Sequence, residues 1–257
     1  CKTNKIPVAV RGDSQIDPYQ PLLKRIIKKL YYPFFLGQFT KFLSVGKRNQ
    51  EYLKSFGIKT EDIIFSPHAI DQEFWKVKRS EKREFTFLWV GKFIEKKRPL
   101  DVVKAFNMTF KEDENIHLNM VGSGILLKDC ERESDNQSNV HFPGFRNQTE
   151  LRLEYAKADC IILASNHQET WGLVVNEAFA SKVPAIVSDA CGCSEDLINN
   201  ETGMVFSLGD INGLSDCMRK MVKVSENNNS FKEIQKVNSI YHYDNVIKSF
   251  QHFVNHT

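Results

Sequence analysis

Short apolar runs alternate with longer amphipathic stretches along this chain, and that alternation constrains the fold more than any other feature. Phe85–Val90, Ile116–Val121, Val140–Phe142, Cys160–Ala164, Ala185–Ser188 and Gly203–Phe206 read as strands. Between and after them, Pro99–Met108, Ile125–Glu133, Gln148–Lys157, Gly172–Ser181, Ser194–Asn199 and Ile211–Val224 read as helices. Near-continuous apolar strands separated by helices specify a parallel sheet covered on both faces. With 257 residues, 41% hydrophobic and 26% charged, the chain has the make-up of a globular protein of one large or two modest domains. Collagen-like, coiled-coil and disordered readings are excluded.

The pattern divides the chain into an α/β array at 85–225, a charged linker at 67–84 and a shorter α/β piece at 1–66. The front piece has strands at Ile6–Val10, Phe42–Val45 and Ile63–Phe65, and helices at Pro21–Phe35 and Arg48–Phe56. So few strands make a poor free-standing sheet, so this piece is expected to be the end of a larger one. The chain starts with Cys, not Met, and is expected to begin inside a longer product. The segment 226–257, a loop at Asn227–Ser230 and a helix at Val246–Val254, is expected to pack back on the front piece.

Balanced charge, 35 basic against 32 acidic residues, gives no reason to invoke nucleic acid. No apolar stretch approaches the ~18–20 residues of a membrane span. Six scattered cysteines do not make a disulfide framework, which fits a reducing, cytoplasmic setting.

Ligands of doubly wound sheets bind at the carboxyl ends of the strands. Gly91 and four bases, Lys92, Lys96, Lys97 and Arg98, precede a helix there. They suit a diphosphate, or form an ordinary solvated loop. Gly122-Ser123-Gly124 has only half of a dinucleotide fingerprint and reads as a tight turn beside a ligand. In His167–Ala180, Glu169 stands before a helix and Glu177 about two turns inside it, with amides of Gly172, Leu173 and Val174 free at the start. The alternative makes Glu169 a cap and Glu177 a surface residue. Cys191-Gly192-Cys193 offers too few ligands for a metal.

Lys92 and Lys97 five apart after a strand, Glu169 and Glu177 eight apart, the Pro184–Asp189 strand and the Gly192 turn, in that order, resemble glycosyltransferase family 4. The resemblance covers the whole later domain and reaches the front piece through Pro67–Asp71, which corresponds to the family's interdomain hinge. It implies the GT-B fold, here one complete Rossmann-like doubly wound domain plus part of a second. It also implies retaining transfer of a sugar from a nucleotide-sugar donor, without metal or other cofactor, to a saccharide or lipid-linked acceptor, as in surface polysaccharide synthesis. By the same resemblance Lys92 and Lys97 bind the donor diphosphate, and Glu169 the hydroxyls of the transferred sugar; these three are the catalytic candidates. Glu177 binds the ribose, the amides of Gly172, Leu173 and Val174 hold phosphate, and Phe145 and Arg146 lie beside the base. Gly91, Gly122, Ser123 and Gly124 line the same pocket.

Two departures stand out. Most of the family's N-terminal domain has no counterpart here, so a non-catalytic, truncated or split half is the competing reading, with a separate N-terminal half as partner. Arg11 stands where many members have a His facing the donor sugar. It cannot act as a base at neutral pH, but could hold a sugar oxygen or an anionic acceptor. Residues 22–48 carry Lys24, Arg25, Lys28, Lys29, Lys41, Lys47 and Arg48 with no acid. Two placements are open for this basic helix: on an anionic membrane surface, giving a peripheral protein on the cytoplasmic face, or over the sheet with its basic side in water.

Overall fold

The computed structural model describes residues 6–80, 84–111, 113–135, 137–225 and 231–256. Its contacts fall into two units, Cys1–Ile70 with Ile240–Thr257, and Asp71–Ser239. The loop read at Asn227–Ser230 lies outside the described residues.

In the first unit β1 (Ala9–Gly12), β2 (Lys41–Ser44) and β3 (Ile63–Phe65) pair in parallel in that order. Helices α1 (Leu22–Leu36) and α2 (Lys47–Lys54) connect them. β1 starts later than its apolar residues suggest and takes in Arg11 and Gly12, which register with Leu43 and Ser44. One core cluster joins Leu36, Phe42 and Leu53, with Tyr32, Phe39 and Phe56 packed around them, and Leu43 and Val45 are buried as well.

The second unit runs α3 (Gln72–Trp75), β4 (Phe85–Val90), α4 (Pro99–Phe110), β5 (Ile116–Val121), α5 (Leu127–Glu133), β6 (Val140–Gly144) and α6 (Gln148–Lys157). It continues with β7 (Cys160–Leu163), α7 (Leu173–Ala180), β8 (Ala185–Ser188), α8 (Ser194–Leu197), β9 (Gly203–Phe206), α9 (Ile211–Ser225) and α10 (Phe231–Ile240). The strands form one parallel sheet in the order β6-β5-β4-β7-β8-β9. Successive strand residues point to opposite faces. Phe87 and Trp89 join Phe106 of α4 and Leu214 and Met218 of α9 on one side. On the other face, α7 packs on β7 and α6 on β4. Pro99 opens α4, where its missing N–H is no loss. A capping box between Asn147 and Glu150 opens α6.

The stretch 67–84, read as a linker, holds the ordered helix α3, because Asp71 accepts a cap bond from the Phe74 amide. Trp75 at its end is buried edge-on against the Tyr155 ring, 5.7 Å away, and its carbonyl accepts from Ser181 Oγ at 2.6 Å. Helix α10 has no counterpart in the sequence reading. The last helix, α11 (Tyr243–Asn255), belongs to the first unit, where Ser249 Oγ donates to Ser66 Oγ at 2.9 Å.

Candidate active site

The strand order of the larger sheet reverses between β4 and β7. From β4 the chain winds outward through β5 and β6, then returns to β7 and winds the other way. In open α/β sheets ligands bind beyond the strands' carboxyl ends at such a switch point, where the two following loops leave the sheet. Those loops are Gly91–Arg98 and Ala164–Gly172.

The two loops meet through a charged cluster. Lys97 Nζ contacts Glu169 Oε2, and Lys96 Nζ lies 3.8 Å from the same oxygen. The Asn166 amide donates to the Lys96 carbonyl at 2.9 Å, tying backbone to backbone below the side chains. The Glu169 side chain keeps only 12% of its surface. Two ammoniums around one largely buried carboxylate leave a net positive charge, and Lys92 is exposed on the same loop. A cluster of that sign is suited to an anion.

Glycine lets the neighbouring loops come this close. A Cβ on Gly122 would lie 1.8 Å from the Gly91 carbonyl oxygen. In its absence, Gly91 N donates to Val121 O, and Gly122 N to Gly144 O, each at 3.0 Å. Phe93 N donates to Ser123 O at 2.9 Å. The loops after β4, β5 and β6 are thereby stitched edge to edge. On the other side Gly192 N donates to Glu169 O at 2.9 Å and Cys193 N to Trp171 O at 3.2 Å. The Cys191–Cys193 turn thus clamps the Glu169 loop, and both thiols are buried. Among the described residues no group of three or more His, Cys, Asp or Glu could hold a metal ion.

Helix α7 begins where the second of these loops ends. Its cap is Gly172, at φ +113°, where a side chain would be strained. The amides of a first helical turn have no acceptor within the helix and point outward with the positive end of its dipole. Because α7 starts at Leu173, Glu177 stands about one turn inside it, not two. Nor is Glu177 a surface residue or Glu169 a cap. Glu177 is half-buried, and Tyr155 Oη donates to its Oε2 at 2.7 Å. Burial raises the pKa of the Glu177 carboxyl from its ordinary value, and the Tyr155 bond works against that rise. Burial, then the neighbouring carboxylate, hold the Tyr155 phenol well above its ordinary value. Beside them Asn176, fully buried, accepts from Trp171 Nε1 at 2.8 Å and fixes the loop before the helix.

Other expected residues are placed less centrally. Phe145 is 72% exposed after β6, and Arg146 Nε turns toward Glu154 Oε1 of α6, 3.8 Å away. Arg11 belongs to the first unit. Its Nη2 donates to Pro67 O at 2.9 Å, and its pKa is lowered by burial, with Asp13 opposing. His68 Nε2 lies 3.7 Å from Asp13 Oδ2 in the same cluster. Sequence reasoning missed Tyr155, Asp13 and His68 as members of these clusters, while Asn176 was visible only as a polar break beside Glu177 in an apolar helix face. Contact in space singles out Tyr155, which is 22 residues from Glu177.

Residues 71–237 match the family model of the glycosyl transferases group 1, over more than half of the chain. The chain belongs to that family. Glycogen synthase of Mycobacterium tuberculosis is 28% identical over 179 residues, covering 68% of this chain and 43% of that protein. Alpha-monoglucosyldiacylglycerol synthase of Streptococcus pneumoniae is 33% identical over 204 residues, covering 71% and 46%. The chain thus spans about half the length of the curated relatives it matches. Among solved structures, HepE of Anabaena in complex with UDP superposes with a TM-score of 0.81 at 14% identity, over 99% of this chain and 72% of that one. The fold of this group 1 chain is therefore the α/β, parallel-sheet, GT-B type, with Rossmann-like units.

Proposed function

We propose that this chain carries the donor site of a retaining, metal-independent glycosyltransferase of family 4. Its donor is a nucleotide-diphosphate sugar and its acceptor a saccharide or glycolipid. The observation that carries this reading is the Lys97–Glu169 pair at the switch point beside the first turn of α7. Breaking a glycosyl–phosphate bond puts negative charge on the departing diphosphate. Lys92, Lys97 and the amides of Gly172, Leu173 and Val174 stabilise that charge as it develops. Fixed cations then do what a divalent ion does elsewhere. Glu169, in contact with Lys97 and beside Lys96, accepts hydrogen bonds from hydroxyls of the transferred sugar. Glu177, oriented by Tyr155, accepts from the ribose. Phe145 and Arg146 flank the base; Gly91, Gly122, Ser123 and Gly124 bring backbone close to the diphosphate. A polysaccharide synthase and a glycolipid synthase among the relatives, and UDP in the HepE structure, support the substrate classes.

The test is thermal unfolding of the chain with UDP, GDP or ADP. A ligand at about 100 times its dissociation constant adds ~2.7 kcal/mol of stability. A shift with one nucleotide is expected, weakened about tenfold in affinity by Glu177→Ala through the lost ribose hydrogen bonds. Lys97→Ala is expected to lower transfer about a hundredfold or more while binding falls less, since its charge acts on the leaving group. Unchanged affinity in Glu177→Ala overturns the ribose assignment.

A second reading is favoured by the span of the match. The chain covers 43% of the glycogen synthase, so it would bind the donor productively only with an N-terminal half supplied in addition. A folded chain with no shift for any nucleotide, rescued by adding that half, is its signature. Robust turnover by the 257 residues alone excludes it.

A further inference from the structure

Helix α1 is built the wrong way round for a helix that only covers a sheet. Such a helix turns its apolar stripe inward and its charges to water. Here the inward stripe is Lys28, Tyr32 and Leu36, one turn apart. Leu36 is buried, the Tyr32 ring packs 5.1 Å from Phe56, and Lys28 Nζ lies 3.4 Å from Tyr52 Oη. The opposite stripe is Leu23, Ile27, Leu30 and Phe34, at the spacing of one helix face. All four are exposed, Leu23 by 71%, Leu30 by 77% and Phe34 by 74%. Leu22 and Ile26 widen the stripe and are exposed too.

Charge says what this face meets. By helical periodicity Lys24 and Lys29 flank the stripe on its two sides. There is no Asp or Glu between Asp17 and Glu51. Along the same helix runs a cleft of about 310 Å³ whose lining includes Gln15, Arg25, Lys28, Lys29 and Tyr52, with Asp17 the one carboxylate against three cations. An apolar stripe edged by cations, beside a cationic cleft with amide and phenol donors, matches a surface of acyl chains topped by phosphates. A second copy fits worse. A twofold contact through this stripe would bring the same cations together with no carboxylate on the helix to neutralise them.

We propose that α1 is a docking surface for an anionic lipid bilayer. Leu23, Ile27, Leu30 and Phe34 enter the boundary of the acyl region. Lys24 and Lys29 extend to the phosphates beside it. No described helix is long and apolar enough to cross a membrane, and this one lies in its plane. The inference stands on the first unit alone and does not depend on the donor-site reading.

The experiment is cosedimentation of the full chain with vesicles of equal parts phosphatidylcholine and phosphatidylglycerol, against vesicles of phosphatidylcholine alone. Binding to the anionic vesicles is expected, weakening as salt is added. Lys24→Gln and Lys29→Gln are each expected to lower affinity about fivefold. The double variant Leu23→Gln/Leu30→Gln is expected to abolish binding. These positions are exposed, so an unchanged unfolding temperature shows that the fold is kept. Failure to sediment with either vesicle, or equal binding to both, overturns the proposal. So does a dimer in light scattering that the Leu23→Gln/Leu30→Gln variant turns into a monomer, which would give the face to a second copy. A nucleotide-induced shift in unfolding reports the other unit, so the two readings fail separately.

Discussion

The two units follow one building rule, parallel strands joined by helices, and differ in how far each carries it through. In Asp71–Ser239 both faces of the sheet are covered, and β7 and β8 are buried at every residue. In the smaller unit β1 has no fully buried residue, and α1 turns its apolar stripe outward. The larger unit buries Phe87, Leu88, Phe93 and Phe106 completely, whereas in the smaller the buried side chains include Leu36, Phe42, Leu43, Val45 and Leu53, each retaining some exposure. Hydrophobicity of a residue therefore predicts burial only where neighbouring elements supply cover. Where they do not, an apolar face marks a surface with other business.

Fluorescence can break this contrast, because Trp75, Trp89 and Trp171, the only tryptophans, all lie in the larger unit. The largest expected effect is Phe106→Ala. Removing a ring from a fully closed core should cost about 3–5 kcal/mol, read as an earlier urea midpoint of the tryptophan signal. A loss below ~1 kcal/mol would show that this core is looser than its burial implies. Next is Gly172→Ala, which forces a side chain to φ +113° and puts a Cβ 2.4 Å from Leu163 Cδ2. It should cost about 1–3 kcal/mol and weaken any nucleotide shift, since the first turn of α7 must move.

A smaller effect, of opposite sign, is expected for Glu177→Gln. Burial raises the Glu177 pKa above its unfolded value. The protonated form is thus favoured by folding, and that contribution is fully present below the unfolded pKa and lost as pH rises through the folded one. Glutamine carries no such loss and can still accept from Tyr155. Glu177→Gln should unfold later than the parent at neutral pH, with the gap closing as pH falls through the carboxylate range. A gap that widens toward acid would reverse the assignment. The smallest effect is Leu30→Gln on the open face of α1, within about 0.5 kcal/mol. A cost like that of Phe106→Ala would mean that the stripe is covered in solution, and the contrast between the units would fall.

Much of the fold was legible because of the same contrast. β4, β5, β8 and β9 run between the residues expected from their apolar runs. β4 and β8 are buried along nearly their whole length and so are largely apolar, while β5 and β9, and β3 of the smaller unit, are covered less completely and are bounded by the turns that end them. β1, with only partial cover, is displaced from Ile6–Val10 to Ala9–Gly12. Helix α3 was hidden because four residues carry too little periodicity, although its Asp71 cap was there to be read. The site loops could be located in advance, since ligands of such sheets lie at strand carboxyl ends. Their partners could not: the Lys97–Glu169 contact joins residues 72 apart and Tyr155–Glu177 joins residues 22 apart.

The amino-acid order alone determined the parallel α/β architecture, the loops that carry charge and glycine, and the family the chain resembles. These follow from local patterns: the period of burial, backbone freedom, and the order of charged residues along the chain. Only the tertiary structure decided that Glu169 sits between two lysines, that Glu177 is half-buried against a phenol, and that α1 presents its leucines to the outside. Each of those depends on which surfaces meet. A helix carries two faces in its sequence, and the packing around it selects the one that is buried.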